Sequence, residues 1–163
     1  MHLKHKVSEK GLYLIKEFEG CELKAYLCSA GKPTIGYGHT KTVTFTDVRS
    51  GKTITEAEAL KLLDYDLDEA EGAVNEFVDM SLHQSHFDAL TAFVFNVGIA
   101  NFTTSSLLRY LNKGLFAKAA KEFEKWVYVT NPKTGKKEKS NGLIRRRKAE
   151  RFLFETGRLK FHF

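Results

Sequence analysis

Glu19 shares a helical face with Leu12, Ile15 and Phe18, spaced by threes and fours, so a carboxyl group ends an apolar stripe. Glu17 falls on the more exposed side. A carboxyl packed against apolar groups tends to keep its proton, because desolvation disfavours the charged form. Such a group suits proton donation to a leaving oxygen, one half of glycosidic bond cleavage. The other half is assistance to a water on the opposite face of the sugar. Eight residues separate Glu19 from Cys28, and five separate Cys28 from Thr34, so a thiol and a hydroxyl follow that could meet such a water. Spacing alone leaves a structural role for Glu19 open.

Positioning these groups requires two kinds of element. Ser8 is placed to cap a first helix over 8–19. From Gly20 to Ile54 the texture changes: Gly31, Gly36, Gly38 and Gly51 punctuate short runs such as Thr34–Gly38 and Thr42–Phe45. These read as strands and turns of a small antiparallel sheet. The stretch holds too little apolar material for its own core, so it must lean on helices elsewhere. Thr55-Glu56-Ala57-Glu58 resembles a capping box opening a long helix toward Phe77. Ser85 opens another, whose apolar run Ala89–Val97 is expected to be buried. Helical patterns continue over 105–112, 116–128 and 143–155, with Gly157 as a stop and a turn-rich basic loop at 131–135. The expected architecture is α+β within a single domain, 1–163. A small antiparallel β lobe (20–54) follows helix one, a larger helical lobe (55–163) follows that, and the two flank a substrate cleft.

Composition agrees with a globular chain. Of 163 residues, 42% are hydrophobic and 28% charged, which excludes a disordered segment. The net charge of +6 implies an anionic partner: nucleic acid, an anionic membrane surface or the acidic bacterial wall. No apolar run approaches the ~18 residues of a membrane span, and no apolar segment of a secretory signal follows the basic start Met1-His2-Leu3-Lys4. Cys21 and Cys28 are the only cysteines and lack zinc-ligand spacing, so no metal or other cofactor is expected.

The run from Glu19 to Thr40 resembles the phage lysozymes of glycoside hydrolase family 24. Their signature is Glu before Gly, then Asp or sometimes Cys after eight residues, then Thr inside T-I-G-x-G-H after five more. Glu19, Cys28 and Thr34 stand at those spacings, and Thr34-Ile35-Gly36-Tyr37-Gly38-His39 matches outright. Phe95-Asn96-Val97-Gly98 and Gly142–Glu150, like the family's G-L-x-x-R-R-x-x-E, follow in order, so the likeness covers nearly the whole chain.

The resemblance implies hydrolysis of the β-1,4 bond between N-acetylmuramic acid and N-acetylglucosamine in peptidoglycan. Glu19 is then the general acid, Thr34 positions the water or contacts the sugar, and Arg146 is the cation that holds Glu19, with Arg145 a near competitor. His39 either braces the cleft or is a satisfied structural histidine. Phe102 either lines the sugar path or packs in the core. Cys28 is the departure that matters, since most members carry Asp there. A thiol of reference pKa about 8.5 is mostly protonated at neutral pH unless something lowers it. Cys28 is thus open to three roles: orienting the water, attacking as a thiolate, or marking a lost base.

Certain relatives with the same cysteine pair are held inactive by a disulfide between the two. They carry an N-terminal membrane tether with a third cysteine that releases it. This sequence shows neither, so Cys21 and Cys28 are either a redox pair or two independent thiols. The implied protein is a monomer whose partner is bacterial peptidoglycan. It is made in the host cytoplasm and reaches the periplasmic wall through a holin-type membrane lesion.

Two rivals bracket this expectation. One is a weakly active wall-binding module that has lost its base at Cys28. The other is a nucleic-acid binder, for which no recognition motif is present. A lytic transglycosylase is a third outcome, distinguished by an anhydro-sugar product.

Overall fold

Helix α1 spans Glu9–Glu19, with Ser8 just before it, in a computed structural model that describes residues 4–163. Met1, His2 and Leu3 of the basic N-terminus lie outside the described residues. Ser8 sits where a cap was expected, but its hydroxyl donates to Asp88 Oδ2, and its N–H donates to Asp88 Oδ1 at 2.9 Å. The negative charge at the α1 N-terminus thus comes from a residue 80 positions away. Gly11 makes this approach feasible, because a Cβ there would lie 2.6 Å from Asp88 Cγ.

The chain divides into two units. The smaller is Ile15–Glu69, and the larger combines the described residues up to Leu14 with Ala70–Phe163. In the smaller unit, β1 (Glu22–Leu27) pairs antiparallel with β2 (Pro33–Gly36), with Tyr26 opposite Thr34 and Leu27 opposite Pro33. Ala25, Ile35 and Tyr37 are buried, as are Ile15 of α1 and Ala59, Leu63 and Leu67 of α3 (Glu56–Phe77). The sheet therefore leans on helical residues, and its unit extends beyond 20–54 for that reason. Thr42–Phe45 is not a strand. Thr44 instead caps α2 (Phe45–Ser50): its hydroxyl accepts from Asp47 N–H at 3.1 Å, while Asp47 accepts from Thr44 N–H at 2.9 Å. The alternating β-branched residues imitate a strand, but this reciprocal pair offers the backbone a helix start.

The larger unit is built on α4 (Gln84–Val97) and α8 (Asn141–Thr156), which pack on each other. Helix α4 starts one residue earlier than Ser85 predicts. His83 occupies the cap position and donates its N–H to His86 Nδ1 at 3.2 Å. Short helices α5 (Ile99–Thr103), α6 (Ser106–Asn112) and α7 (Phe116–Glu122) follow. Phe123 packs edge-on against Phe93, ring centroids 5.2 Å apart, and lies 5.4 Å from Phe154. The helix expected to Tyr128 gives way to a 3-10 turn at Phe123–Lys125 and then to β3 (Tyr128–Thr130). Strand β3 pairs with β4 (Lys137–Lys139) around the predicted basic loop. Ser140 caps α8, and Gly157 ends it in a left-handed conformation at φ 72°. The class is α+β, mostly helical with two small antiparallel sheets.

Candidate active site

Glu19 ends α1 half-buried, next to the Thr34–His39 turn. Gly38 carries φ 79°, and a Cβ there would sit 3.6 Å from Glu19 Oε2, so turn backbone and carboxylate are close neighbours. Reciprocal bonds close the turn: Ile35 N–H to His39 O and His39 N–H to Ile35 O, both 2.9 Å. Gly36 is constrained differently, since its Cβ would come within 3.3 Å of Ala59 Cβ. Both glycines therefore seat the turn, one against the carboxylate and one against α3.

Thr34 and Cys28 belong to the β1–β2 hairpin. The buried Thr34 hydroxyl donates to Lys32 O at 2.9 Å, and Cys28 N–H donates to the same carbonyl at 3.0 Å. The Thr34 hydroxyl has one proton, shared between Lys32 O and the Cys28 sulfur, and lone pairs that can accept. Bonds from the Lys32 and Ala30 backbone N–H groups lower the Cys28 pKa, opposed by partial desolvation and helped by the Thr34 hydroxyl and the Lys32 charge. The thiol is thus biased toward thiolate. The Tyr26 phenol is raised by burial first, then by negative charge on Glu22, Cys28 and Glu19. That ordering places Tyr26 within electrostatic reach of both Glu19 and Cys28.

The cysteine pair is not assembled in this fold. Both thiols are free, and the extended β1 lies between them. Strand β1 is itself irregular, its register to β2 shifting between Glu22 and Tyr26. Cys21 is exposed; the Tyr37 phenol, raised by burial, is raised further by the charge and hydrogen bond of Cys21. His39 is buried, with Nδ1 2.8 Å from Asp66 Oδ2 on α3 and Nε2 2.7 Å from Thr42 Oγ1. Thr42 N–H also donates to Nε2 at 3.3 Å, so Nε2 accepts and Nδ1–H faces Asp66. This ring braces the turn from inside.

Arg146 and Phe102 lie in the larger unit. Arg146 is buried, donating from Nε to Glu150 Oε2 at 3.1 Å and from Nη2 to Ala92 O at 3.0 Å. Arg147, also buried, donates from Nη1 to Glu150 Oε1 at 2.6 Å and from Nε to Trp126 O at 2.9 Å. Its Nη2 bonds Asn96 Oδ1, and its guanidinium lies 5.1 Å from the Phe93 ring centre. Glu150, 0% exposed, is therefore shared by two arginines. Arg145 is exposed, and Phe102 is 0% exposed, which fits the packing role of its two expected ones. Arg147, Glu150 and Asn96 stand in the matched sequence motifs, but no site role is assigned to them there. The three- and four-residue spacing from two arginines to Glu150 was the signal that could have found the first two. Asn96, Trp126, Tyr128, Lys137 and Arg147 also line a cavity of about 770 Å³ in this unit. Among the described residues, no group of three or more His, Cys, Asp or Glu side chains could hold a metal ion.

Comparisons with known proteins find relatives over most of the chain. The family profile described as Phage lysozyme matches residues 16–150. An endolysin of Acyrthosiphon pisum secondary endosymbiont phage 1 is 43% identical over 150 residues, 92% of this chain and 98% of the relative. A SAR-endolysin of Bacteriophage PS119 is 38% identical over 133 residues, 82% of this chain and 74% of its own length. The solved endolysin of Escherichia coli O157:H7 phage FAHEc1 superposes with TM-score 0.88 at 35% identity, covering 98% of this chain and 99% of that one.

Proposed function

This chain belongs to the phage lysozyme family, peptidoglycan-degrading glycoside hydrolases, and from that premise we propose how its own residues divide the reaction. Glu19 protonates the glycosidic oxygen between N-acetylmuramic acid and N-acetylglucosamine. Thr34 and Cys28 hold the attacking water, Thr34 by accepting a hydrogen bond from it and Cys28, as thiolate, by taking the one proton the water loses as its oxygen bonds the anomeric carbon. Bonds to the charged form from Lys32 and Ala30 N–H keep more of Cys28 as thiolate, the form that can take a proton, than in an ordinary thiol. His39 holds the turn, and Arg146, fixed by Glu150 and Ala92, is the supporting cation.

The observation that carries this reading is the Glu19 carboxylate set against Gly38, in the same unit as the hairpin of Cys28 and Thr34. Glu19→Gln is expected to abolish the clearing of permeabilised bacterial cells while leaving thermal stability within about 1 kcal/mol. Full activity of that variant overturns the assignment. Reducing-end muropeptides are the expected product, and anhydro ends would instead mark a transglycosylase.

For Cys28 the alternative is a switch through a bond to Cys21. Both thiols are free in the fold, so equal lysis rates with and without reductant are expected. For access to the wall we retain a membrane lesion made by another protein. Among the described residues no helix is long and apolar enough to cross a membrane. Expression of this chain alone is then expected to leave host cells intact until the membrane is permeabilised.

A further inference from the structure

The β3–β4 hairpin is exposed along almost its whole length. Tyr128, Val129, Thr130 and every residue from Pro132 to Lys139 are exposed. Its strands pair with each other at Tyr128–Lys139, Val129–Glu138 and Thr130–Lys137, and Tyr128, Val129, Thr130 and Lys137 wall the cavity together with Asn96 and Arg147. Its loop is ordered locally: Asn131 N–H donates to Lys136 O, and Asn131 Oδ1 accepts from Lys133 N–H, both at 2.8 Å. A two-stranded hairpin that covers no core adds little to folding stability.

Charge is what sets this hairpin apart. Lys133, Lys136, Lys137 and Lys139 stand against Glu138 alone, a net of three positive charges and half of the chain's +6. Directly opposed residues share a face, so Tyr128, Thr130, Lys137 and Lys139 occupy one side and Val129 and Glu138 the other. Glu138 is engaged by Asn131 Nδ2 at 3.1 Å. Among the described residues, none of the ion pairs involves these four lysines. The cationic side keeps its charge, with an aromatic ring beside it.

We propose that the β3–β4 hairpin is a docking surface for carboxylate-bearing peptidoglycan strands beyond the one being cut. The proposal rests on the reading of this chain as a wall hydrolase. Lysine ammonium groups are mobile point charges, suited to a polymer whose carboxylates are irregularly spaced. Lys137 and Lys139 stand about 7 Å apart along β4. The exposed Tyr128 ring offers a flat surface for the apolar face of a sugar. A lipid surface is the poorer match, because Val129 is the only aliphatic side chain of the hairpin and lies on the side away from Lys137 and Lys139.

The test is sedimentation with peptidoglycan sacculi stripped of lipid and other polymers, using Glu19→Gln protein so that binding is read without cleavage. Replacing Lys133, Lys136 and Lys139 by Gln is expected to weaken binding about tenfold at roughly 0.05 M salt and by less than about twofold at roughly 0.3 M. Arginine at the same three positions is expected to retain it. With Glu19 restored, the Gln variant is expected to cleave soluble, uncrosslinked glycan chains within about twofold of the parent rate. Equal sacculus binding by the Gln variant and its parent overturns the proposal. So does a loss seen only with anionic phospholipid vesicles, which would reassign the surface to a membrane. Failure of the hydrolase reading shows separately, as no cleavage of soluble chains by the unsubstituted protein.

Discussion

Replacing Glu150 by Gln tests whether the buried charge cluster of α8 holds the larger unit together. Glu150 is 0% exposed and accepts from Arg146 Nε at 3.1 Å and Arg147 Nη1 at 2.6 Å. The two arginine side chains are themselves only 5% and 1% exposed. Gln preserves shape and one acceptor but removes the charge both guanidinium groups share. Breaking a buried pair in this way costs about 3–5 kcal/mol, a large share of the roughly 5–15 kcal/mol that stabilises a typical domain. For a chain of this size, a melting point lower by about 6–20 °C follows. Glu155→Gln is the control. It breaks an i,i+4 pair to Arg151 of similar geometry at 2.8 Å, but with side chains 28% and 44% exposed. Water already solvates that pair, so about 0.5 kcal/mol is expected. Urea unfolding followed by Trp126 fluorescence compares the two, because Trp126 O accepts from Arg147 Nε and reports on the cluster. If Glu150→Gln costs no more than Glu155→Gln, the cluster does not carry the stability assigned to it.

Three further outcomes follow from local geometry. Gly11→Ala places a methyl 2.6 Å from Asp88 Cγ and 2.7 Å from Asp88 Cβ, so the variant is expected to lose about 1–3 kcal/mol despite alanine's better helix propensity; a raised melting point would sink this. Because Cys28 has a lowered pKa, its alkylation should reach half-maximum at a lower pH in the native protein than after unfolding, and Thr34→Val should move that midpoint upward. The accompanying stabilisation is present above the unfolded thiol pKa and is lost as pH falls through the native one. Coincident native and unfolded midpoints contradict the first of these expectations. His86 is lowered by burial first and then by His83, so protons bind the unfolded chain preferentially and stability declines as pH falls below the unfolded histidine pKa. His86→Phe should flatten that decline, read as melting point against pH.

Much of this fold is written in local pattern. The apolar face of α1 ending in Glu19 and the stop at Gly157 both lie where spacing and capping chemistry put them. Local signals misled where two structures compete for the same residues. Thr42–Phe45 has strand composition, yet Thr44 and Asp47 satisfy each other as a helix start. Residues 131–135 were legible as a turn, but not the strands flanking it, because Tyr128–Thr130 and Lys137–Lys139 bury no alternating face that would reveal them.

The candidate site divides in the same way. Residue types and spacing, read through the family pattern, single out Glu19, Cys28 and Thr34 without any coordinates. Tertiary structure decides what those types cannot: that the Thr34 hydroxyl meets both Lys32 O and Cys28, and which N–H groups face the Cys28 sulfur. Glu150 shows the limit most plainly. The motif names Arg146, Arg147 and Glu150 by type, and only packing against α4 makes Glu150 a buried counter-charge. Sequence determines which groups are available for chemistry, whereas burial and hydrogen bonding, which depend on residues distant in the chain, determine their charge state and orientation.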